Sequence, residues 1–287
     1  MTLTVPLSYS YNGLTFGGIG QDVQVLSATG VRGTTQQREG DTPWPQRDGN
    51  AASVSTMDER IMQFALQVMN PAASFASVMA LLANTFVPID DPNQLLPLQC
   101  FMDSTWTEAR QTIVRVANYD PPLDMDYSVF WAKPLLKLTA PDPLWYSSTL
   151  HGQTVGLPSP TAGLTFNVSF DVPFGASSGG SMTVTNAGNY KTAPLITITG
   201  PCTNPSVTLG SAMVFLNLTL GVSDVVVIDM AARTVTLNGV ARQNSPKQGS
   251  SWWTIPVGTS TISVASQDSA AVAAQFTVQW RDAWSAI

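Results

Sequence analysis

From Arg60 to Met69 apolar and polar side chains alternate, with Met62, Phe64, Leu66 and Val68 on one face and Gln63 and Gln67 on the other. A period of two is what a half-buried β-strand requires, so this run predicts a core strand. Directly after it the period changes. Phe75, Val78, Met79 and Leu82 recur at i, i+3, i+4 and i+7, which places them on one face of a helix. Asn70 and Pro71 read as N-cap and first helical residue and predict a single amphipathic helix over about 71–84. Strand patterns precede it at 14–16 and 22–27 and follow it at 98–102, 112–117, 127–132 and 135–138. The segment APDPLWYS, 140–147, closes this half, because its two prolines break any regular element.

Between Ser147 and Gly163 the segment STLHGQTVGLPSPTAG, 148–163, carries little hydrophobic pattern and several breakers, so the domain boundary is placed there. Beyond it the chain predicts ten short strands at 164–171, 181–185, 195–199, 206–209, 213–219, 225–229, 234–237, 252–255, 259–265 and 275–280. Gly, Pro, Asn and Asp turns separate them, and the pattern is that of an antiparallel sandwich or jelly roll. Asn238-Gly239 signals a type I′ hairpin, and Asp229 to Arg233 span a tight connection. The expected fold is therefore mainly β, with two β-sandwich domains at 1–150 and 155–287, the first carrying the one helix. Residues 30–50, rich in Gly, Thr, Gln, Arg and Pro, form a long loop without apolar pattern, a feature that in compact domains is usually functional or mobile. It is expected to order against a partner.

Charged residues make up 11% of the chain, less than half the usual quarter, so polarity rests on Thr, Ser, Asn and Gln, which suit strand faces and turns. Net charge is −6 and the pI about 4.6. With no run of Lys and Arg, specific nucleic-acid binding is not expected. Cys100 and Cys202 lie one in each half without metal-ligand spacing, and they read as two buried thiols or as a disulfide pair, the former preferred. The opening MTLTVPLSYSYNG lacks a basic segment followed by an apolar core, and no run approaches 18 apolar residues. A soluble product of cytoplasmic synthesis, without membrane insertion, is the expectation.

Reactive chemistry is sparse. The one histidine, His151, falls in the presumed linker and reads as solvated. Gly175-Ala176-Ser177-Ser178-Gly179 matches GxSxG in letters, but a nucleophile elbow needs a following helix and a downstream histidine, and a strand pattern follows here. The carboxylates from Asp120 to Asp126 (DPPLDMD) lack the calcium-loop pattern and read as a solvated loop. Gly17-Gly18-Ile19-Gly20 lacks the spacing of a dinucleotide fingerprint. No catalytic, cofactor or metal residue is assigned, and the chain is not expected to be an enzyme.

Aromatic residues say more. Adjacent Trp252 and Trp253 would face opposite sides of a strand, one entering the core and one partly exposed. An exposed Trp can stack on a sugar or anchor an interface. The candidate interaction surface comprises Arg32, Arg38, Trp44 and Arg47 of the long loop together with Trp252 and Trp253.

The order of several motifs resembles a known family. Thr192 to Val207 read TxPxIxIxGPxxNPxV, Val226 to Gly239 contain VVID and RTVTLNG, Ser250 to Gly258 read SSWWTIPVG, and Val278 to Trp284 read VQWRDAW. With DERIMQFALQV and the closing APDPLWYS of the first half, this layout looks like that of the distal tail proteins, or Dit-type minor tail proteins, of long-tailed bacteriophages. The resemblance implies an N-terminal ring-forming β-sandwich with a helix, a galectin-like C-terminal sandwich, and a structural place in the virion at the tail tip or baseplate. It implies as partners the chain itself in a ring, a hexamer in the family, together with the tail tube protein, the tail-tip hub or tail-associated protein, the tape measure protein and a receptor-binding protein. The competing expectation is a carbohydrate-binding module that contacts cell-surface glycan through Trp252 or Trp253. A galectin-type site normally uses His beside the Trp, and the second domain as drawn at 155–287 has none.

Overall fold

The computed structural model describes residues 7–18, 20–69, 71–102, 106–158, 180–268 and 273–287. The chain divides into two compact units, one of residues 1–148 with 284–287 and one of residues 149–283. Residues 284–287 thus belong with the first unit, not with the second domain to which their position in sequence assigned them.

The first unit contains β1 (Ser8–Tyr11), β2 (Leu14–Phe16), β3 (Val23–Thr29), four two-residue strands β4 (Gln37–Arg38), β5 (Thr42–Pro43), β6 (Asn50–Ala51) and β7 (Thr56–Met57), then β8 (Arg60–Met69). After α1 (Ala72–Thr85) come β9 (Leu96–Phe101), β10 (Arg110–Asp120), β11 (Trp131–Ala132), β12 (Leu135–Ala140) and β13 (Trp145–Ser147). The main sheet runs β11-β8-β12-β10-β9-β1-β2, with β3 on β8 and β13 on β10. Strand β10 serves two partners: Arg110 to Val114 pair with β9, and Arg115 to Asp120 pair with β12 across a register shift between Val116 and Asn118. Such a bulge bends the strand and increases its twist, letting one sheet turn over a common core.

In β8 burial alternates residue by residue, as the period predicted, with Met62, Phe64, Leu66 and Val68 inside. They meet Phe16, Leu98, Val114, Leu136 and Leu138, and α1 covers them with Phe75, Val78, Met79 and Leu82. The helix begins one residue later than expected, with Pro71 at the cap position and no side-chain capping bond. Asn70 lies outside the described residues. The strand expected over 127–132 is instead a 3₁₀ turn at Asp126–Val129 followed by the short β11.

The second unit contains β14 (His151–Gly156), β15 (Ser181–Asn186), β16 (Leu195–Thr199), β17 (Cys202–Thr203), β18 (Ser206–Leu209) and β19 (Ala212–Phe215). It continues with β20 (Thr219–Leu220), β21 (Val225–Asp229), β22 (Thr234–Leu237), β23 (Val240–Ala241), β24 (Gly258–Ala265) and β25 (Gln275–Trp280). A six-stranded antiparallel sheet, β14-β25-β16-β21-β22-β23, and a four-stranded one, β15-β24-β18-β19, contribute to one core. Ile196, Ile198, Val226, Ile228, Phe276 and Val278 come from the first, and Val184, Val207, Val214, Ile262 and Val264 from the second. Asn238 and Gly239 both have positive φ, 51° and 78°, as the hairpin between β22 and β23 demands.

Two expectations fail here. The segment taken as a linker supplies β14, which pairs along its whole length with β25, so its weak hydrophobic pattern marked an edge strand rather than a boundary. Residues 251–254 form no strand; only Ile255 makes a bridge, to Thr192. The strand expected at 164–171 and the Gly175 to Gly179 segment lie outside the described residues.

Cys100 and Cys202 are free and buried, one in each unit. Burial pushes both thiols up, Cys202 to about 11 with help from the nearby Asp268 charge. A raised pKa favours the neutral thiol, so at pH 8 the Cys202 thiolate is only about one part in a thousand and Cys100 still less. Thiol labelling with an exposed-cysteine reagent should therefore leave both unmodified in the native protein and modify two thiols after denaturation.

Candidate functional site

The long loop of the first unit is an ordered arm. Gln37 pairs with Met57 and Arg38 with Thr56, then Thr42 with Ala51 and Pro43 with Asn50, giving two short antiparallel tiers. Between Arg32 and Thr56 every residue is exposed except the half-buried Thr35 and Ala51. The arm is therefore held by polar contacts rather than by a core. Gly40 donates to Ser53 Oγ at 2.9 Å, the Ser53 N–H to Asp41 Oδ1 at 2.8 Å, and Ser55 Oγ to Gln37 Oε1 at 2.6 Å. An element with so little buried area is among the least stable parts of a fold and gains most from a partner.

Its root is built differently. Arg60, 1% exposed, begins β8 and uses its guanidinium to gather backbone carbonyls. Nε donates to Pro143 O at 2.8 Å; Nη1 donates to Gly30 O at 2.9 Å, Val31 O at 3.3 Å and Gly33 O at 2.7 Å; Nη2 donates to Ser285 O at 2.7 Å. Trp145 Nε1 adds a bond to Val31 O at 3.0 Å. Residues 284–287 are gripped at further points, by Arg110 lying 4.0 Å over Trp284 and by the Ile287 N–H bonded to Arg32 O at 3.0 Å. Gly30 can enter this root because its φ is +74° and a side chain there would run into the Ile61 carbonyl. Gly30→Ala is expected to cost more than about 2 kcal/mol, through left-handed strain plus that clash. A wild-type melting temperature for the first unit would contradict this.

The predicted surface residues separate along the arm. Arg32 is at the root, where its Nε donates to Ile287 O at 3.4 Å. Arg38 is on the lower tier, 3.6 Å from Asp58. Trp44 and Arg47 share the tip, the guanidinium 3.9 Å from the indole centroid, with Trp44 42% exposed between Pro43 and Pro45. Exposed Trp with Arg is the composition of an interface anchor.

In the second unit the paired tryptophans divide as their adjacency suggested, though outside a strand. Trp253 is 6% exposed and joins the core, and Trp252 is half-buried against it. Trp253 lines an open groove of about 710 Å³ together with Leu209, Ser211, Thr254, Pro256 and Thr261. His151 is not solvated linker: it lies on β14, 5.5 Å from Trp280 in a stacked arrangement, with Nε2 3.3 Å from the buried Asp282 carboxylate. The partner was hidden because it arrives from the far end of the unit's sequence.

Fold and surface together describe a two-domain β protein with an exposed, polar arm on its first unit. Residues 187–284 match the model of a protein family, the C-terminal domain of the siphovirus-type tail component, SPP1 Dit. Along nearly its whole length the chain has the fold of the SPP1 Dit (gp 19.1) protein, described as a paradigm of hub adsorption apparatus in Gram-positive infecting phages. The TM-score is 0.63 at 12% identity, with 95% of this chain and 97% of that one covered. A chain of the phage P2 baseplate in its activated conformation with Ca is also similar, at TM-score 0.50 and 11% identity over the same shares. No curated protein sequence matches. The resemblance read from the motifs is thus borne out, and the family match falls on the stretch that carried most of them.

Proposed function

We propose that this chain is a structural protein of the phage tail tip or baseplate, forming a ring that joins the tail tube to the tail-tip hub and its receptor-binding apparatus. The observation that carries the reading is the tail-component match over 187–284 within a fold shared with a Dit protein end to end. The exposed arm supports self-assembly, because it has polar tiers, a secured root and an aromatic tip, and leaves Trp44 open in the single chain. A hexamer, and contacts with the tail tube and tape measure proteins, rest on the resemblance alone. The virion is the expected location. No helix among the described residues is long and apolar enough to cross a membrane.

Native mass spectrometry of the purified protein tests this directly. A closed oligomer that binds tail-tube protein is expected; a monomer that binds no tail component would argue against the reading. Trp44→Ala should weaken assembly while leaving the monomer's melting temperature unchanged, since its ring contacts the exposed Arg47 and no core residue.

The groove beside Trp253 favours a second reading, glycan binding by the second unit, because Ser211, Thr254 and Thr261 offer hydroxyls there. The burial of Trp253 weighs against a stacking platform. Glycan-array binding that Trp253→Phe leaves intact would remove this residue from the site.

A further inference from the structure

The segment that leads from β10 to β11 carries apolar side chains that the fold does not bury. Leu123 is 83% exposed, Met125 87%, Val129 65% and Phe130 43%, while Met69, on the strand paired with β11, is 62% exposed. A run of such residues is unusual on a soluble surface unless something covers it. The loop is nevertheless fixed in place. Tyr127 and Phe130 stack edge-on to Phe75 of α1, with centroids 5.1 and 6.0 Å away, and Lys133 bonds Asp126 at 3.0 Å. Phe130 is held at φ +62° as the cap of the 3₁₀ turn, its N–H bonded to the carbonyls of Asp126 and Tyr127. A bulky residue in that conformation persists only where its surroundings impose it. The result is an ordered apolar platform with the exposed carboxylates of Asp120 and Asp124 beside it.

We infer that this platform, centred on Leu123, Met125 and Val129, is the seat for the arm tip of a second copy of this chain. The two surfaces are complementary in chemistry. The tip offers an indole and a guanidinium, and the platform offers a thioether, branched aliphatics and carboxylates. Trp packs favourably on Met and aliphatic side chains, and Arg pairs with Asp. Both surfaces belong to the first unit and both are open in the single chain, so the chain does not satisfy its own tip. Each copy presents one tip and one seat, so copies can be joined head to tail, and such a heterologous contact makes a ring when its rotation closes, as the ring reading requires. The inference rests on the ring reading and adds where the arm lands.

Charge exchange tests it. Arg47→Asp and Asp124→Arg should each weaken self-association by about tenfold or more, measured by native mass spectrometry across a dilution series, and the double variant should recover it. Both sites are exposed, and circular dichroism melting confirms that each variant folds. In parallel, Trp44→Cys and Met125→Cys copies are mixed and treated with a short bismaleimide. Cross-linked dimers are expected in the mixture and not with either variant alone, since Cys100 and Cys202 are buried. A wild-type protein that assembles while all three charge variants assemble equally, with no mixed cross-link, overturns the seat and leaves the ring standing. A wild-type protein that stays monomeric with its tail partners overturns both.

Discussion

Arg60→Met is expected to destabilise the first unit by about 3 kcal/mol or more and to leave the unfolding of the second unit unchanged. Methionine fills part of the volume, and removing a buried cation also removes its desolvation cost, which offsets some of the loss. The larger effect comes from what remains. Four backbone carbonyls, from Gly30, Gly33, Pro143 and Ser285, lose the Arg60 donors, and the Val31 carbonyl is left with its bond from Trp145 Nε1. A buried acceptor left alone costs about 1 to 3 kcal/mol, and only those near the surface can recover a bond to water. Burial pulls the Arg60 pKa below its ordinary value, yet a guanidinium stays charged in any usable buffer, so no pH near neutrality should mimic the substitution. Arg60→Lys is expected to fall between, because a single ammonium cannot span three chain segments. Denaturant unfolding followed separately for each unit checks this, and equal loss in both units would show that Arg60 is not a local clasp. Assembly should suffer with stability, since the arm is rooted on the same carbonyls.

The second large effect is expected at Asn186 in the other unit. Its side chain is fully buried yet bonded at both ends: Nδ2 donates to Tyr190 O at 2.7 Å and Ile255 O at 3.5 Å, and Oδ1 accepts from the N–H groups of Gly188 at 3.1 Å and Ala283 at 3.3 Å. Gly188 lies so close to the Ala283 backbone that any side chain there would overlap it. Asn186→Leu keeps the volume but strands two donors and weakens two acceptors, a loss of about 3 to 4 kcal/mol. Asn186→Asp keeps the acceptor only and adds a buried charge, so it should be no better. A leucine variant that unfolds at the wild-type denaturant midpoint would falsify this account of the segment.

Much of the fold was legible because its signals are local. The strands at 60–69, 195–199, 206–209, 225–229, 234–237 and 275–280 lie where the alternation put them. The change of period after Met69 marked the helix to within one residue. Asn238-Gly239 specified its turn because only small or amide residues accept two successive positive φ values cheaply. Where alternation was weak the reading failed. Strand β14 looked like linker because an edge strand need not bury one face, and the arm looked structureless because its tiers are two residues long and have no apolar code.

The candidate surface was half legible. Trp44 and Arg47 drew attention as aromatic and basic residues in a long loop, but their stacking at the tip follows from the hairpin path. Of the platform, residues 120–126 were read as a solvated acidic loop and 127–130 as part of a strand. That its leucine, methionine and valine remain outside depends on how Tyr127 and Phe130 engage α1, which no spacing encodes.

By itself the sequence determined the fold class, through strand period and turn chemistry, and carried a run of motifs whose resemblance to a phage tail family the match over residues 187–284 bears out. The tertiary structure alone decided what holds it together. Arg60 meets Pro143 across 83 positions and Ser285 across 225, and His151 finds Asp282, at separations where a chain carries no periodic trace of its contacts. Local backbone preferences act over a few residues, whereas a buried polar group takes whatever partner the closed fold delivers, and that partner is known only once the fold is closed.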